Sequence, residues 1–174
     1  MKFESVNAQE LLKEYISKME LDDELRISNL PMVIVSKDIF FTFWREMTRI
    51  VGAPAATIMY FAGETSGKEL YGDMKKGADN KEELITALCD NLLATGIGKI
   101  EIEISDDEKS IEIVAKNGLP IGKRAEGKVA DSYFTGCFAG FFSELFNKKF
   151  GGTEEECVAK GDNRCRIVLR EEVK

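Results

Sequence analysis

The chain has 174 residues, 44% apolar and 32% charged, with 24 Lys and Arg against 31 Asp and Glu for a formal net charge of −7. That length can bury a core without disulfide staples, eleven Phe exclude disorder by composition, and the acidic surplus has the wrong sign for neutralising nucleic-acid phosphates. No histidine is present, which removes Ser-His-Asp triads, Cys-His dyads and HExxH zinc sites together.

At the N-terminus, Met1-Lys2-Phe3-Glu4 carries an acid at position four and no apolar leader follows, so the chain reads as cytosolic. Leu11, Leu12, Tyr15, Ile16 and Met19 fall at helical spacing behind Asn7 as N-cap and Glu10, which predicts a helix over 7–19. Residues 31–35 read as a short extended run. Ser36 and Asp38 then open a helix carrying Phe40, Phe41, Phe43, Trp44, Met47 and Ile50, and Gly52 ends it. Pro54 suits the first turn of the next helix, expected to run to about Met74.

That helix has an unusual run of small residues, with Gly63 and Gly67 inside it. Each interior glycine costs roughly 1 kcal/mol, a penalty that close packing against another backbone can offset. Gly63 to Lys68 is not a phosphate loop, because it is one residue short and Glu69 stands where Ser or Thr must hold magnesium. The weakly polar stretch from Val51 to Gly63 is broken by Gly52 and Pro54 and is too short to cross a membrane.

Asn80 or Asp79 caps a helix over 81–95 with Leu84, Leu88, Leu92 and Leu93 inward. Strict alternation over 99–104 and 110–114 predicts a hairpin, and a loop rich in Gly, Lys and Arg follows over 116–128. A strong helix is expected over 130–148, carrying Gly136 and Gly140 among Tyr133, Phe134, Phe138, Phe141, Phe142 and Phe146. Aromatics on nearly every side imply burial on nearly every side, and the glycines leave a flat spot for a backbone or a flat ligand. A second hairpin, 153–160 and 163–170, turns through Gly161-Asp162. Helices, hairpin, helix and hairpin make one α+β domain over 1–174, with a helical layer on an antiparallel sheet of two hairpins.

Cys89 and Cys137 lie in apolar helical patterns and read as core residues. Cys157 and Cys165 are placed to face each other across the second hairpin, just after Glu154-Glu155-Glu156. Plain packing, a disulfide, a nucleophilic thiol and half a metal site all fit that spacing. Three carboxylates and the missing histidine argue against the nucleophile, and a reducing compartment against the disulfide.

Two stretches, 131–140 and the E-x2-C-x3-G-D-x2-C segment over 154–165, resemble the 4-vinyl reductase domain family, small-molecule-binding domains akin to TRAPP transport-particle subunits and to the sensory domains of phenol-responsive activators. The resemblance implies a cavity for an apolar or aromatic ligand, with Trp44, Phe134, Phe138 and Phe142 as pocket candidates, and a homodimer. It also implies a structural zinc ion on Glu154, Cys157 and Cys165, with Asp131 where the sensors have cysteine. Asp131 could equally cap its helix. Strict alternation puts Glu155, not Glu154, on the face of Cys157, so Glu154 as a ligand requires a β-bulge. The family name implies reduction of a vinyl group, but there is no Rossmann glycine fingerprint and no evident nicotinamide or flavin site. The chain therefore reads as a stand-alone binding module. A reductase subunit using a cofactor held elsewhere, or a scaffold subunit with a filled core, are the alternatives.

Overall fold

Capping chemistry and alternation place the elements of the computed structural model, which describes residues 1–4, 8–27, 30–31, 33–117, 119 and 131–172. The chain starts with a short strand β1 (Lys2–Glu4), helix α1 (Ala8–Ser17) and three small strands, β2 (Met19–Leu21), β3 (Leu25–Ile27) and β4 (Leu30–Pro31). The expected N-cap Asn7 lies outside the described residues, as does most of the loop over 116–128. Of the extended run expected over 31–35, Pro31 closes β4 and Val33, Ile34 and Val35 take no regular form.

Helix α2 (Lys37–Val51) begins where the Ser36 side chain accepts the Asp38 backbone N–H at 3.1 Å, and it ends at Gly52, whose φ is +68°. Helix α3 (Pro54–Met74) has its proline in the first turn, as expected. Helix α4 (Lys81–Ala94) is capped by Asn80, whose Oδ1 accepts the Glu83 N–H at 2.9 Å. None of the described helices is long and apolar enough to cross a membrane.

Strands β5 (Ile100–Ile104) and β6 (Ser110–Ala115) form the first hairpin. Helix α5 (Ser132–Phe146) is shorter than the expected 130–148, because Asn147 turns left-handed at φ 51° and halts it. Strand β7 (Phe150–Glu156) starts earlier than expected. It hands over to a short 3-10 turn at Val158–Lys160, and β8 (Cys165–Glu171) returns.

The five-stranded antiparallel sheet has the order β1-β5-β6-β8-β7, so the two hairpins join through β6 and β8 and β1 adds an edge. β2, β3 and β4 form a separate small sheet. Register puts Ile102 opposite Ile113, Ile113 opposite Ile167 and Ile111 opposite Leu169, all of them at most 1% exposed. Each such side chain contributes roughly 1.5–3 kcal/mol by leaving water. Buried against that face are Leu84, Ile85, Leu88 and Cys89 of α4 and Phe138, Phe141 and Phe142 of α5.

The small-residue runs of α3 and α5 meet each other. A Cβ on Gly63 would stand 1.9 Å from the Tyr133 carbonyl oxygen, one on Gly67 1.9 Å from that of Cys137, and one on Gly136 1.9 Å from that of Tyr60. A Cβ on Gly140 would lie 2.0 Å from the Glu64 oxygen. Four glycines thus let two helix backbones touch, and this seam has no room for a flat ligand.

Candidate metal centre and cavities

The three consecutive glutamates behave as three different residues, and the hairpin register is the cause. Glu154 pairs with Ile167 and Glu156 with Arg166, so Glu155 is the extra residue of a bulge. It turns out to solvent, where Arg166 and Arg170 meet it at 2.5 and 2.8 Å. Those contacts, Arg170 foremost, hold its carboxyl below the ordinary range. Glu156 is held low in the same way by Arg164, at 2.7 Å. Glu154, by contrast, points inward with Cys157, and the two are 6% and 0% exposed.

Cys165 follows from the opposite strand and Asp131 from the start of α5, at 1% and 0% exposure. The four residues offer donor atoms that all lie within 4.8 Å of one another. Two of the contacts are direct. The Cys165 thiol donates to Asp131 Oδ2 at 3.5 Å, and the Asp131 backbone N–H donates to Glu154 Oε2 at 3.1 Å. Asp131 occupies the N-cap position of α5 but its side chain makes no capping hydrogen bond; its carbonyl takes the Thr135 N–H and hydroxyl instead. The turn after Cys157 is closed by Asp162, which accepts the Cys157 N–H at 2.7 Å, and by Gly161 at φ 96°.

The electrostatics of this group favour a cation. Burial and then the adjacent Cys157 raise the Glu154 carboxyl to about 7, and its Oε1 has no hydrogen-bond partner among the described residues. The Cys165 thiol is pushed far up, first by its hydrogen bond with Cys157 and then by burial. A divalent cation reverses both effects, because it ligates the orphaned oxygen and stabilises thiolates. Ligand atoms around a tetrahedral zinc stand about 3.3–3.8 Å apart given its usual bond lengths, so shifts of about 1 Å close the set. Two sulfurs with two carboxylate oxygens suit zinc better than magnesium or calcium.

The remaining cysteines are apart from this cluster. Cys89 and Cys137 are free thiols whose burial raises them to about 12.

The aromatic pocket candidates have a different setting from the cavities. Phe134, Phe138 and Phe142 are at most 4% exposed and packed in the core, and half-buried Trp44 stacks on Phe41 at 5.9 Å. None of the four lines a described cavity. The most apolar cavity, about 310 Å³, lies among α1, the end of α4 and the 33–35 segment, with Leu12, Ile16, Val35, Phe40 and Ile97 in its wall. Its polar groups include Tyr15, whose hydroxyl accepts from Asn91 Nδ2 at 3.1 Å, and Thr95. Phe40 links it to the core, packing on Phe134 at 6.3 Å. Three consecutive apolar residues, Val33-Ile34-Val35, directly before a helix cap were the available signal for this wall, since the run is too short for a buried strand. A second, more open cavity of about 400 Å³ runs from Tyr60 and Phe61 to Ser132 and Glu154.

Residues 132–171 match the family model of the 4-vinyl reductase domain. No curated protein matches the chain. Among solved structures, it is similar to the phenol-responsive sensory domain of the transcription activator PoxR, solved with phenol, at 16% identity and a TM-score of 0.72, covering 96% of this chain and 91% of that one. A trafficking protein particle complex subunit 3 from Naegleria fowleri, covalently bound to palmitic acid, gives 14% identity and a TM-score of 0.60 over 79% and 95% of the two chains. A vinyl-4-reductase family protein from Methanocaldococcus jannaschii gives 22% and 0.58 over 82% and 85%. At these identities the likeness establishes the fold: helices on an antiparallel sheet, as in those proteins.

Proposed function

We propose that residues 1–174 form a small-molecule-binding module whose C-terminal hairpin is pinned to α5 by a structural zinc ion, and which acts as a homodimer or on a protein partner. The apolar cavity beside α1 carries the binding role, and the similarity to a phenol-responsive sensory domain supports it. Its size is at the lower end for small-molecule sites, enough for a compact aromatic or a short hydrocarbon. Burying about 200 Å² of such a ligand is worth about 5 kcal/mol before the cost of association, which puts affinity in the millimolar to micromolar range. Tyr15 and Thr95 supply hydroxyls for one polar end of the ligand.

In this reading Asp131, Glu154, Cys157 and Cys165 hold the zinc. The bound ion supplies positive charge that keeps both thiols deprotonated and ties two strands to one helix start. The chain's own residues do the rest. The bulge at Glu155 aims Glu154 inward, Asp162 shapes the Cys157 turn, and Phe134 of α5 backs Phe40 in the cavity wall.

Two measurements test the two parts. Elemental analysis of the purified, reduced protein is expected to give one zinc per chain, absent from Cys157→Ser along with several degrees of melting temperature; a metal-free wild type refutes the site. A thermal-shift and native mass spectrometry screen of phenols and short alkanols is expected to find binders lost in Ile16→Asp. No binder at millimolar concentration, or binding indifferent to Ile16→Asp, refutes the cavity.

A further inference from the structure

Helix α2 leaves an apolar stripe uncovered. Ile39, Phe43 and Ile50 are 53%, 59% and 68% exposed and recur every four to seven residues, so they share one face. Beside them runs a groove of about 320 Å³ whose floor is Met59 and Ala62 of α3 and Tyr133 of α5. With Ile58, one turn before Ala62 and 45% exposed, this patch reaches on the order of 500 Å² of apolar surface, the upper end for a monomer.

The charges along α2 are polarised. Asp38 is in its first turn, and Arg49 in its last, on the row that flanks the apolar stripe. In an antiparallel pair of identical helices each flanking row meets itself in reverse. Asp38 then faces the partner's Arg49, and its mirror contact forms at the other end. The same alignment sets Ile39 against the partner's Ile50 and places Phe43 near the two-fold axis. Glu46, the one acid within the stripe, already accepts from Arg49 at 2.7 Å and Arg45 at 3.0 Å, so it enters the contact neutralised. The guanidinium forks keep donors to spare for a carboxylate from the other chain.

We propose that this face is the interface with a second copy of the chain, an isologous dimer built on antiparallel α2 helices with the α2–α3 groove receiving apolar side chains from the partner. Apolar patch and charged rim together approach the roughly 800 Å² per partner of a specific interface. The inference rests on the homodimer in the proposed function and names its surface; it is independent of the metal and the cavity.

Sedimentation velocity of the full chain tests it. The wild type is expected to be a dimer at about 10 µM and Phe43→Glu a monomer of unchanged circular dichroism, since Phe43 is largely outside the core. Asp38→Arg and Arg49→Asp, each creating two like-charge contacts per dimer, are expected to weaken self-association about tenfold or more. An equimolar mixture of those two variants is expected to recover wild-type association as a heterodimer, which neither a folding defect nor a different interface would produce. A wild type monomeric at about 100 µM overturns both this surface and the homodimer. A dimer indifferent to Phe43→Glu, or a mixture without heterodimer, overturns this surface and leaves dimerisation elsewhere on the chain.

Discussion

Alanine at Gly67 should destabilise the protein, whereas alanine at Gly72 of the same helix should stabilise it. A Cβ on Gly67 would sit 1.9 Å from the Cys137 carbonyl oxygen and 2.9 Å from the Phe141 nitrogen, both backbone atoms that no rotamer change can move. Ordinary contact needs about 3.5 Å, so α3 and α5 must separate by about 1.5 Å. A gap of that size forfeits much of the dispersion along the seam, and overpacking itself costs about 1–3 kcal/mol. Helix propensity returns somewhat under 1 kcal/mol of this. The balance is a loss of about 3 kcal/mol, or about 6–12 °C in Tm at this chain length. At Gly72 nothing lies within 4 Å of the added Cβ, so only the propensity gain of about 0.5–1 kcal/mol remains. Urea unfolding followed by circular dichroism measures both. If Gly67→Ala matches or exceeds the wild type in stability, the backbone-contact seam is refuted.

Three further outcomes follow from the site and the sheet. Glu154→Gln should lower zinc content while Glu155→Gln leaves it unchanged, because the bulge gives the first an inward and the second an outward carboxylate; equal losses in elemental analysis would contradict that register. Asp131→Cys should tighten zinc binding, since a third thiolate replaces a harder oxygen ligand, and chelator competition reads the change. Glu101 is held low first by Lys116 and then by Lys2, at 3.1 Å from the latter. A lowered folded value means this contribution is present above the unfolded carboxylate range and is lost as pH falls through it. Glu101→Gln should therefore cost under about 1 kcal/mol at pH 7, given exposed lysine partners, and nothing at pH 3, by urea unfolding.

What the sequence by itself determined was local. Caps at Ser36 and Asn80, Pro54 in a first turn, the isoleucine alternation and the spacing of Cys157 and Cys165 act over a few residues, so each could be read without knowing the fold. The same is true of the small-residue runs around Gly63 and Gly136, which announced a close contact on each helix. That the two runs meet each other is a fact of tertiary structure, because nothing local chooses a helix's partner. Alternation likewise required a bulge before Glu154 could be a ligand, but whether the strand bulged depended on pairing with β8, where Glu154 takes Ile167 and Glu156 takes Arg166. The helix start that brings Asp131 to Cys165 was fixed by packing from a distant part of the chain. The aromatic residues of α5 are core instead of cavity wall for a related reason. A buried ring and a ring lining a cavity have the same helical periodicity, and only the neighbours that fill or leave the space beside them decide which it becomes.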